Sequence, residues 1–182
     1  MRKVIHSMAV SLDGFIAGPD GDFDWAAPDD ELHRFHNEQT RELAAHLLGR
    51  RLYETMVYWE TADQDPELGE TEREFARIWQ ALPKIVFSTT LDAVEGNARL
   101  ARGSIAAELA ALDGDVAIGG ARLAAAAAQE GLIDEYGLFV NPVVAGGGTP
   151  FFPPNLRIDL ELLETRTFGS RVTYLRYRTA GR

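Results

Sequence analysis

The sequence predicts an α/β fold in which a mainly parallel central sheet carries helices on both faces and ends in an antiparallel hairpin. Short apolar segments alternate with helical segments over residues 3–144, and two more apolar-rich segments flank Gly169-Ser170. A helix between two strands returns the chain to the same edge of the sheet and makes the strands parallel, whereas a short turn makes them antiparallel. We expect a single domain over residues 1–182.

The first third of the chain has clear local signals. An apolar run predicts a strand over residues 3–10, and the Asp13-Gly14 turn separates it from a short second strand at residues 15–17. Pro28 and the acids after it begin a long amphipathic helix. By their roughly helical spacing, the apolar residues of this helix are Leu32, Phe35, Leu43 and Leu47.

The remaining elements alternate as the fold requires. Strands are predicted at residues 46–49, 84–88, 99–101, 115–119 and 134–144. Helices are predicted at residues 50–58, 72–82, 104–112 and from the glycine pair at 119–120 to Gly131, with a surface loop at 61–70. The closing hairpin is predicted at residues 158–167 and 172–178.

The composition excludes several classes of function. The 182 residues include no cysteine, so disulfides, thiolate metal sites and thiol nucleophiles are excluded. A net charge of −10 argues against a nucleic-acid partner. No stretch approaches the roughly 20 apolar residues that cross a bilayer, and the first residues form too short an apolar run for a secretory signal. We therefore expect a soluble, cytoplasmic protein with no membrane partner.

A strand that leads into a glycine pair is the first candidate ligand site. Residues 115–124 (DVAIGGARLA) run from an apolar strand into an alanine-rich helix with Arg122 in its first turn. A helix start exposes N–H groups and partial positive charge, and glycine allows a ligand to approach the backbone, so this junction suits a phosphate. A purely steric strand-to-helix turn explains the glycines equally well. The spacing fits neither the Rossmann fingerprint nor a Walker loop.

Two other predicted strand ends carry side chains that suit phosphate or ribose. Gly49 is followed by Arg50 and Arg51 at a helix start, and arginine forks match phosphate oxygens. Ser88 and Thr89 place hydroxyl groups at the end of the next strand. The simpler alternatives are a solvated arginine pair and hydroxyl residues that merely end a strand.

These three strand ends, together with residues 11–18 (SLDGFIAG), occur in an order that resembles the dihydrofolate reductase-like superfamily. From Val4 to about Tyr177 the chain is most similar to stand-alone proteins related to the reductase domain of riboflavin biosynthesis. The resemblance implies a three-layer dihydrofolate reductase-like fold and an NADPH-dependent oxidoreductase. Its activity would be like that of dihydrofolate reductase or 5-amino-6-(5-phosphoribosylamino)uracil reductase, with a pterin- or pyrimidine-like substrate. A homodimer is also implied, and the apolar terminal hairpin favours it.

The resemblance further implies which residues hold NADPH. Arg50, in the pattern Gly49-Arg-x-x-Tyr-Glu, would bind the 2′-phosphate with Arg51 beside it. Leu52 stands where this pattern often has threonine, which leaves the preference for NADPH over NADH open. The other implied positions are Ser88 and Thr89 for the adenosine, Gly119, Gly120, Ala121 and Arg122 for the diphosphate, and the backbone near Ala9 and Ile16 for the nicotinamide carboxamide.

The source of the proton and the contact with substrate are less determined. In dihydrofolate reductases a carboxylate on the first helix recognises the pterin and assists its protonation. Alignment on Pro28 selects Asp30 and alignment on Phe35 selects Glu31, although acids also suit a helix start without any catalytic role. Trp25 would stack on a planar substrate or belong to the core.

Two alternatives stay open from the sequence. His33 and His36 lie on one helix face with Asp29 one turn before His33, but no obvious fourth ligand accompanies them, so we expect no metal site. A non-catalytic module that binds NADPH or another phosphorylated metabolite would also fit the three strand ends.

Overall fold

The computed structural model describes residues 2–181 and confirms the predicted α/β architecture. The strands are β1 (Val4–Ser11), β2 (Phe15–Ala17), β3 (Ala45–Gly49), β4 (Lys84–Phe87), β5 (Ala98–Leu100), β6 (Val116–Gly119), β7 (Glu135–Asn141), β8 (Thr149–Pro150), β9 (Leu160–Thr167) and β10 (Thr173–Thr179). Within the described residues, eight of them form one sheet in the order β5-β4-β3-β6-β1-β7-β10-β9, and β2 pairs with β8 separately. The six strands from β5 to β7 are parallel, while β10 is antiparallel to both β7 and β9.

Helices cover both faces of the sheet. They are α1 (Asp30–Arg41), α2 (Arg50–Met56), α3 (Glu70–Ala81), α4 (Ile105–Ala110) and α5 (Ala121–Gln129). The adjacent residues Leu47 and Leu48 of β3 point to opposite faces, as strand geometry requires. Leu47 packs in a cluster with the apolar residues of α4 and α5, and Leu48 packs in a cluster with Trp79 of α3 and Tyr53 of α2.

The first helix is shorter than predicted. α1 ends at Arg41, so Leu43 lies in the connection and Leu47 lies in the centre of β3. The assignment of these two leucines to the helix is wrong, whereas the strand predicted at residues 46–49, which includes Leu47, is confirmed. A short strand that is buried on both faces is a continuous apolar run, and its leucines also match helical spacing with the residues of α1. The predicted loop at residues 61–70 contains a 3-10 turn, Ala62–Gln64, whose Ala62 is buried. No helix among residues 2–181 has the length and apolar character needed to cross a membrane.

A buried ion pair holds the segment after α2 against the sheet. Lys84, at the start of β4, is fully buried, and its Nζ lies 2.8 Å from Glu60 Oε1. The same ammonium donates a hydrogen bond of 2.6 Å to the carbonyl of Trp79 in α3. Glu60 ends the 3-10 turn Val57–Glu60. One cation therefore fixes this turn and the end of α3 to the central sheet.

We expect Lys84→Met to lower the free energy of unfolding by about 3–5 kcal/mol, because it leaves the Glu60 carboxylate buried without a cation. Urea denaturation of the purified proteins measures the loss. The double variant with Glu60→Gln should recover part of the stability, since it removes the unpaired charge. A single variant as stable as the wild type would contradict the role given to this pair.

Candidate active site

Three of the strand ends singled out in the sequence meet at one edge of the sheet. β4, β3 and β6 are adjacent and parallel, so their carboxyl ends point the same way. Arg50 starts α2 directly after β3, Ser88 follows β4, and Gly119 ends β6. In parallel α/β sheets, ligands bind outside these carboxyl ends. The fold therefore brings the phosphate-suited motifs together at the expected place.

The starts of α2 and α5 lie side by side. Gly49 caps α2 and Gly120 caps α5, and neither helix start receives a hydrogen bond from a capping side chain. Gly120 has a φ of +95°, and a Cβ there would lie 3.2 Å from the Cα and N of Gly49. Only glycine combines this conformation with so close an approach. Two positive helix ends thus face the same small volume, which suits a diphosphate.

Arg50 lies beside this pair of helix starts with its guanidinium available. Its Nη1 is 3.3 Å from Thr90 Oγ1 and its Nε is 3.8 Å from Glu54, and the side chain is 45% exposed. Arg51 and Arg122 are exposed as well. The Ser88 hydroxyl already accepts hydrogen bonds from the backbone N–H groups of Thr90 and Leu91, so it shapes the turn after β4. The neighbouring Thr89 is exposed.

Gly119 has a steric explanation independent of any ligand. A Cβ on Gly119 would lie 2.4 Å from Cδ2 of Leu52, the residue that replaces the frequent threonine of the motif. The leucine therefore occupies space above the glycine and packs with the apolar cluster of α2 and α3. This contact means that the glycine pair combines a packing role at Gly119 with a backbone opening at Gly120.

The sheet opens between β1 and β6. These strands pair only at Val4 with Val116 and at Ile5 with Ala117, whereas β1 pairs with β7 along seven residues. Beyond Ile5, the edge of β1 that faces β6 has no strand partner. Ala9, implied for the nicotinamide, lies on this separated part of β1. Unpaired backbone groups there are available to a ligand amide.

His6 occupies the point where the two strands separate. Its Nδ1 lies 2.9 Å from the carbonyl of Ile118, and its ring stacks on Phe151 at 4.4 Å between centroids. A carbonyl only accepts hydrogen bonds, so Nδ1 carries the proton in this contact. Burial lowers the pKa of His6 to about 4 and keeps the ring neutral near pH 7. His6 was not predicted from the sequence, although a histidine inside an apolar strand indicates a buried polar contact.

A second missed residue, Asp13, joins the β1–β2 turn to the glycine-rich segment before β8. Its carboxylate accepts hydrogen bonds from Ser11 Oγ and from the backbone N–H groups of Ala145 and Gly146, at 2.6, 2.9 and 2.8 Å. These bonds lower its pKa to about 2. Ile16 lies in β2, which pairs with β8 just beyond this junction. The sequence signal is Asp13 in the SLDG motif.

The two candidate acids hold α1 in position. Asp30 accepts a hydrogen bond from Thr71 Oγ1, and this bond links α1 to α3. Asp30 also pairs with Arg34 of the same helix. Glu31 accepts from the backbone N–H of Gly169 at 2.9 Å, a bond that lowers its pKa, and pairs with Arg166 of β9. Both carboxylates are about half exposed. That either residue supplies a proton stays a prediction.

Trp25 is partly exposed, whereas His33 and His46 pack against aromatic side chains. Trp25 lies in the 3-10 turn Asp24–Ala26 and is half-buried. His33 contacts Trp59 and Phe75, and His46 contacts Trp79. Among residues 2–181 no group of three or more histidine, aspartate and glutamate side chains has the arrangement to hold a metal ion.

The fold is dihydrofolate reductase-like, as similar solved structures show. One similar solved structure is dihydrofolate reductase from Enterococcus faecalis in complex with NADP(H), with a TM-score of 0.64 and 19% identity over 98% of this chain and 96% of that one. Another is a putative riboflavin biosynthesis protein from Shewanella sp. PV-4, with a TM-score of 0.76 and 22% identity over 97% and 98% of the two chains.

The particular family follows from the sequence match. Residues 2–174 match the RibD C-terminal domain, and the chain belongs to this family. A curated relative is the uncharacterized protein YyaP of Bacillus subtilis (strain 168), which is 31% identical over 186 residues, covering 99% of this chain and 96% of the relative.

We expect acid to destabilise the protein between pH 6.5 and about 4. Burial lowers the pKa of His6 and His36 to about 4 and that of His46 to about 3 from 6.5. The unfolded chain therefore binds protons in this range that the folded chain does not, and stability falls as pH falls. The slope is at most about 1.4 kcal/mol per pH unit for each histidine. Asp13 and Glu108 have pKa values lowered to about 2, and their contribution starts to be lost below about pH 5, where the same carboxyls of the unfolded chain protonate.

Urea denaturation at several pH values across this range measures the slope, with His46→Leu as the diagnostic variant. The Nδ1 of His46 is buried and has no hydrogen-bond partner, so leucine removes a titrating group without removing a bond. The variant should show a shallower loss of stability in acid. An unchanged slope would show that His46 does not contribute.

Proposed function

We propose that this protein is a cytoplasmic, NADPH-dependent reductase that transfers a hydride to a small heterocyclic substrate of the pterin or pyrimidine type. The observation that carries the proposal is the contact between Gly49 and Gly120, which places two uncapped helix starts beside the available guanidinium of Arg50. Membership of the RibD C-terminal domain family supports a reductase. The NADP(H) complex of the similar dihydrofolate reductase supports the choice of cofactor.

The residues at this edge fit the dinucleotide in order. Arg50 and Arg51 would hold the 2′-phosphate, Ser88 and Thr89 would line the adenosine, and residues 119–122 would hold the diphosphate. The separated edge of β1 at Ala9, with the backbone near Ile16, would hold the carboxamide. When bound, NADPH supplies the hydride. The chain itself binds and orients the cofactor and keeps water from the reacting face.

On the substrate side, Trp25 would stack on a planar ring, and Asp30, Glu31 or water would supply the proton. Trp25 is half-buried and has no ring partner among the described residues, which supports this use.

Two observations favour the second candidate, a non-catalytic module that binds NADPH or a phosphorylated metabolite. Both acids are engaged in structural contacts, and Leu52 replaces a hydroxyl residue of the motif. NADPH oxidation with a panel of pterins and pyrimidine ribosylamines distinguishes the two, because binding without turnover favours the module.

We expect Arg50→Ala to weaken NADPH binding by roughly 10–100-fold, because charge-assisted hydrogen bonds to a phosphate are lost. Nicotinamide fluorescence during titration of the protein gives the Kd. The same substitution should weaken the binding of NADH less, because NADH lacks the 2′-phosphate. Arg157→Ala is the matched control, since Arg157 is exposed and pairs with no acidic residue other than Asp159 among residues 2–181. The absence of saturable binding in the wild type would overturn the proposed function.

We also propose a homodimer formed through β9. This strand is the edge of the sheet and is largely exposed, and it carries Leu162 and Leu163 at 55% and 43% exposure. An exposed apolar edge strand is a ready template for pairing with a second copy of the chain.

Light scattering at micromolar concentration should therefore report about twice the 20.0 kDa mass of the chain. Leu162→Glu should shift the protein to the monomer, because each two-fold contact would bury two carboxylates. Val144→Glu, at an equally exposed apolar residue away from β9, should leave the mass unchanged. A wild-type mass of about 20 kDa would contradict the dimer.

A further inference from the structure

α1 presents different residues to each of its neighbours. Leu32 packs in the apolar cluster of β7 and the terminal hairpin. On another side, Asn37 donates hydrogen bonds to Glu74 and to the carbonyl of Thr71 in α3. His33 and His36 project between these two directions, toward the space between the sheet and the turn after α2. The face of α1 between these two neighbours therefore carries two imidazoles, which contact Trp59 and Phe139.

His36 lies next to the separated part of β1. Its ring centroid is 4.3 Å from that of Phe139 in β7, and Phe139 is paired in register with Ala9 of β1. Neighbouring strands lie about 4.8 Å apart, so the imidazole contacts a residue of the strand next to Ala9, the residue implied for the nicotinamide. His33, one turn nearer the start of α1, lies 5.9 Å from Trp59 between ring centroids.

The nitrogens of His36 are free to contact a ligand. The His36 imidazole forms no hydrogen bond with residues 2–181. Its two nitrogens are also not among the buried polar atoms that lack a partner, so both keep contact with solvent. Burial, with His33 nearby, lowers its pKa to about 4, so the ring is neutral near pH 7 and offers one donor and one acceptor. Asp30 and Glu31, by contrast, already bind groups of the protein.

We propose that His36, with His33 beside it, is the α1 side chain that faces the nicotinamide and the molecule to be reduced. This inference rests on the proposed function. His36 takes the place that the resemblance gives to a carboxylate. A carboxylate pairs with a protonated heterocycle, whereas a neutral imidazole forms hydrogen bonds to a neutral one. The role assigned to His36 is to orient the substrate ring, with the proton drawn from elsewhere.

The histidine ring signals in NMR spectra test this placement. The four histidines are few enough to resolve, and loss of one signal in His36→Phe assigns His36. Saturation with NADP+ should shift the His36 signal. Saturation with adenosine 2′,5′-bisphosphate, which has the adenosine and phosphates without the nicotinamide, should leave it in place. A His36 signal that ignores NADP+, or that moves equally with both ligands, would overturn the inference while NADPH binding stands. No saturable binding of either ligand would instead overturn the proposed function, and this inference with it.

The variant His36→Phe provides a second measurement. Phenylalanine keeps an aromatic ring over Phe139 and removes both nitrogens, so the affinity for adenosine 2′,5′-bisphosphate should not change. The fluorescence of bound NADPH, which reports the surroundings of the nicotinamide, should differ from the wild type. Gln39→Met is the control on the same helix, because Gln39 points to Tyr174 in the hairpin. If the fluorescence of NADPH bound to His36→Phe equals that of NADPH bound to the wild type and to Gln39→Met, His36 does not face the nicotinamide.

Discussion

The separation of β1 from β6 is the constraint on which the rest of the site depends. In the observed register, full pairing would continue to Ser7 opposite Gly119, the last residue of β6. Instead, pairing stops after Ile5, and His6 satisfies the carbonyl of Ile118 with its side chain. The opened strands would leave buried polar groups without partners unless a side chain or a ligand supplied them. His6 meets one of these needs at Ile118, and Asn141 donates a hydrogen bond to the carbonyl of Val10 further along β1.

Polar contacts hold two connecting segments of the fold in position. Asp13 joins the β1–β2 turn to the glycine-rich segment through three hydrogen bonds. On the other side, Lys84 and Glu60 fix the turn that carries Trp59. The buried Lys84 and Glu60 side chains would each be costly without the other, whereas Asp13 is exposed and is oriented by its hydrogen bonds. These contacts tie the β1–β2 turn to the glycine-rich segment and the turn after α2 to β4.

The sequence predicted the elements that have local signals and failed where tertiary contacts decide. Alternating apolar segments and glycine turns were sufficient for the sheet and the terminal hairpin, and the motifs at Gly49 and Gly120 were placed correctly at strand ends. Leu47 was misassigned because its spacing fits both a helix and a strand. The roles of His6 and Asp13 could not be predicted, since each depends on a partner 112 or more residues away. The contact between Leu52 and Gly119 likewise exists only after β3 and β6 pair.

The distribution of charge is compatible with the proposed binding of an acidic cofactor by an acidic protein. Arg99, Arg176 and Arg178 are each paired with a glutamate, so they add little free positive potential. Around the glycine pair the balance differs, because Arg50 has only a distant contact with Glu54 and two exposed arginines flank the helix starts. Screening confines such potentials to about 8–10 Å at physiological salt. A ligand with clustered phosphates gains from that short range, whereas a long polyanion would also meet the surrounding negative surface. The net charge of −10 and a local phosphate site are therefore compatible, and together they favour a small anionic ligand over a nucleic acid.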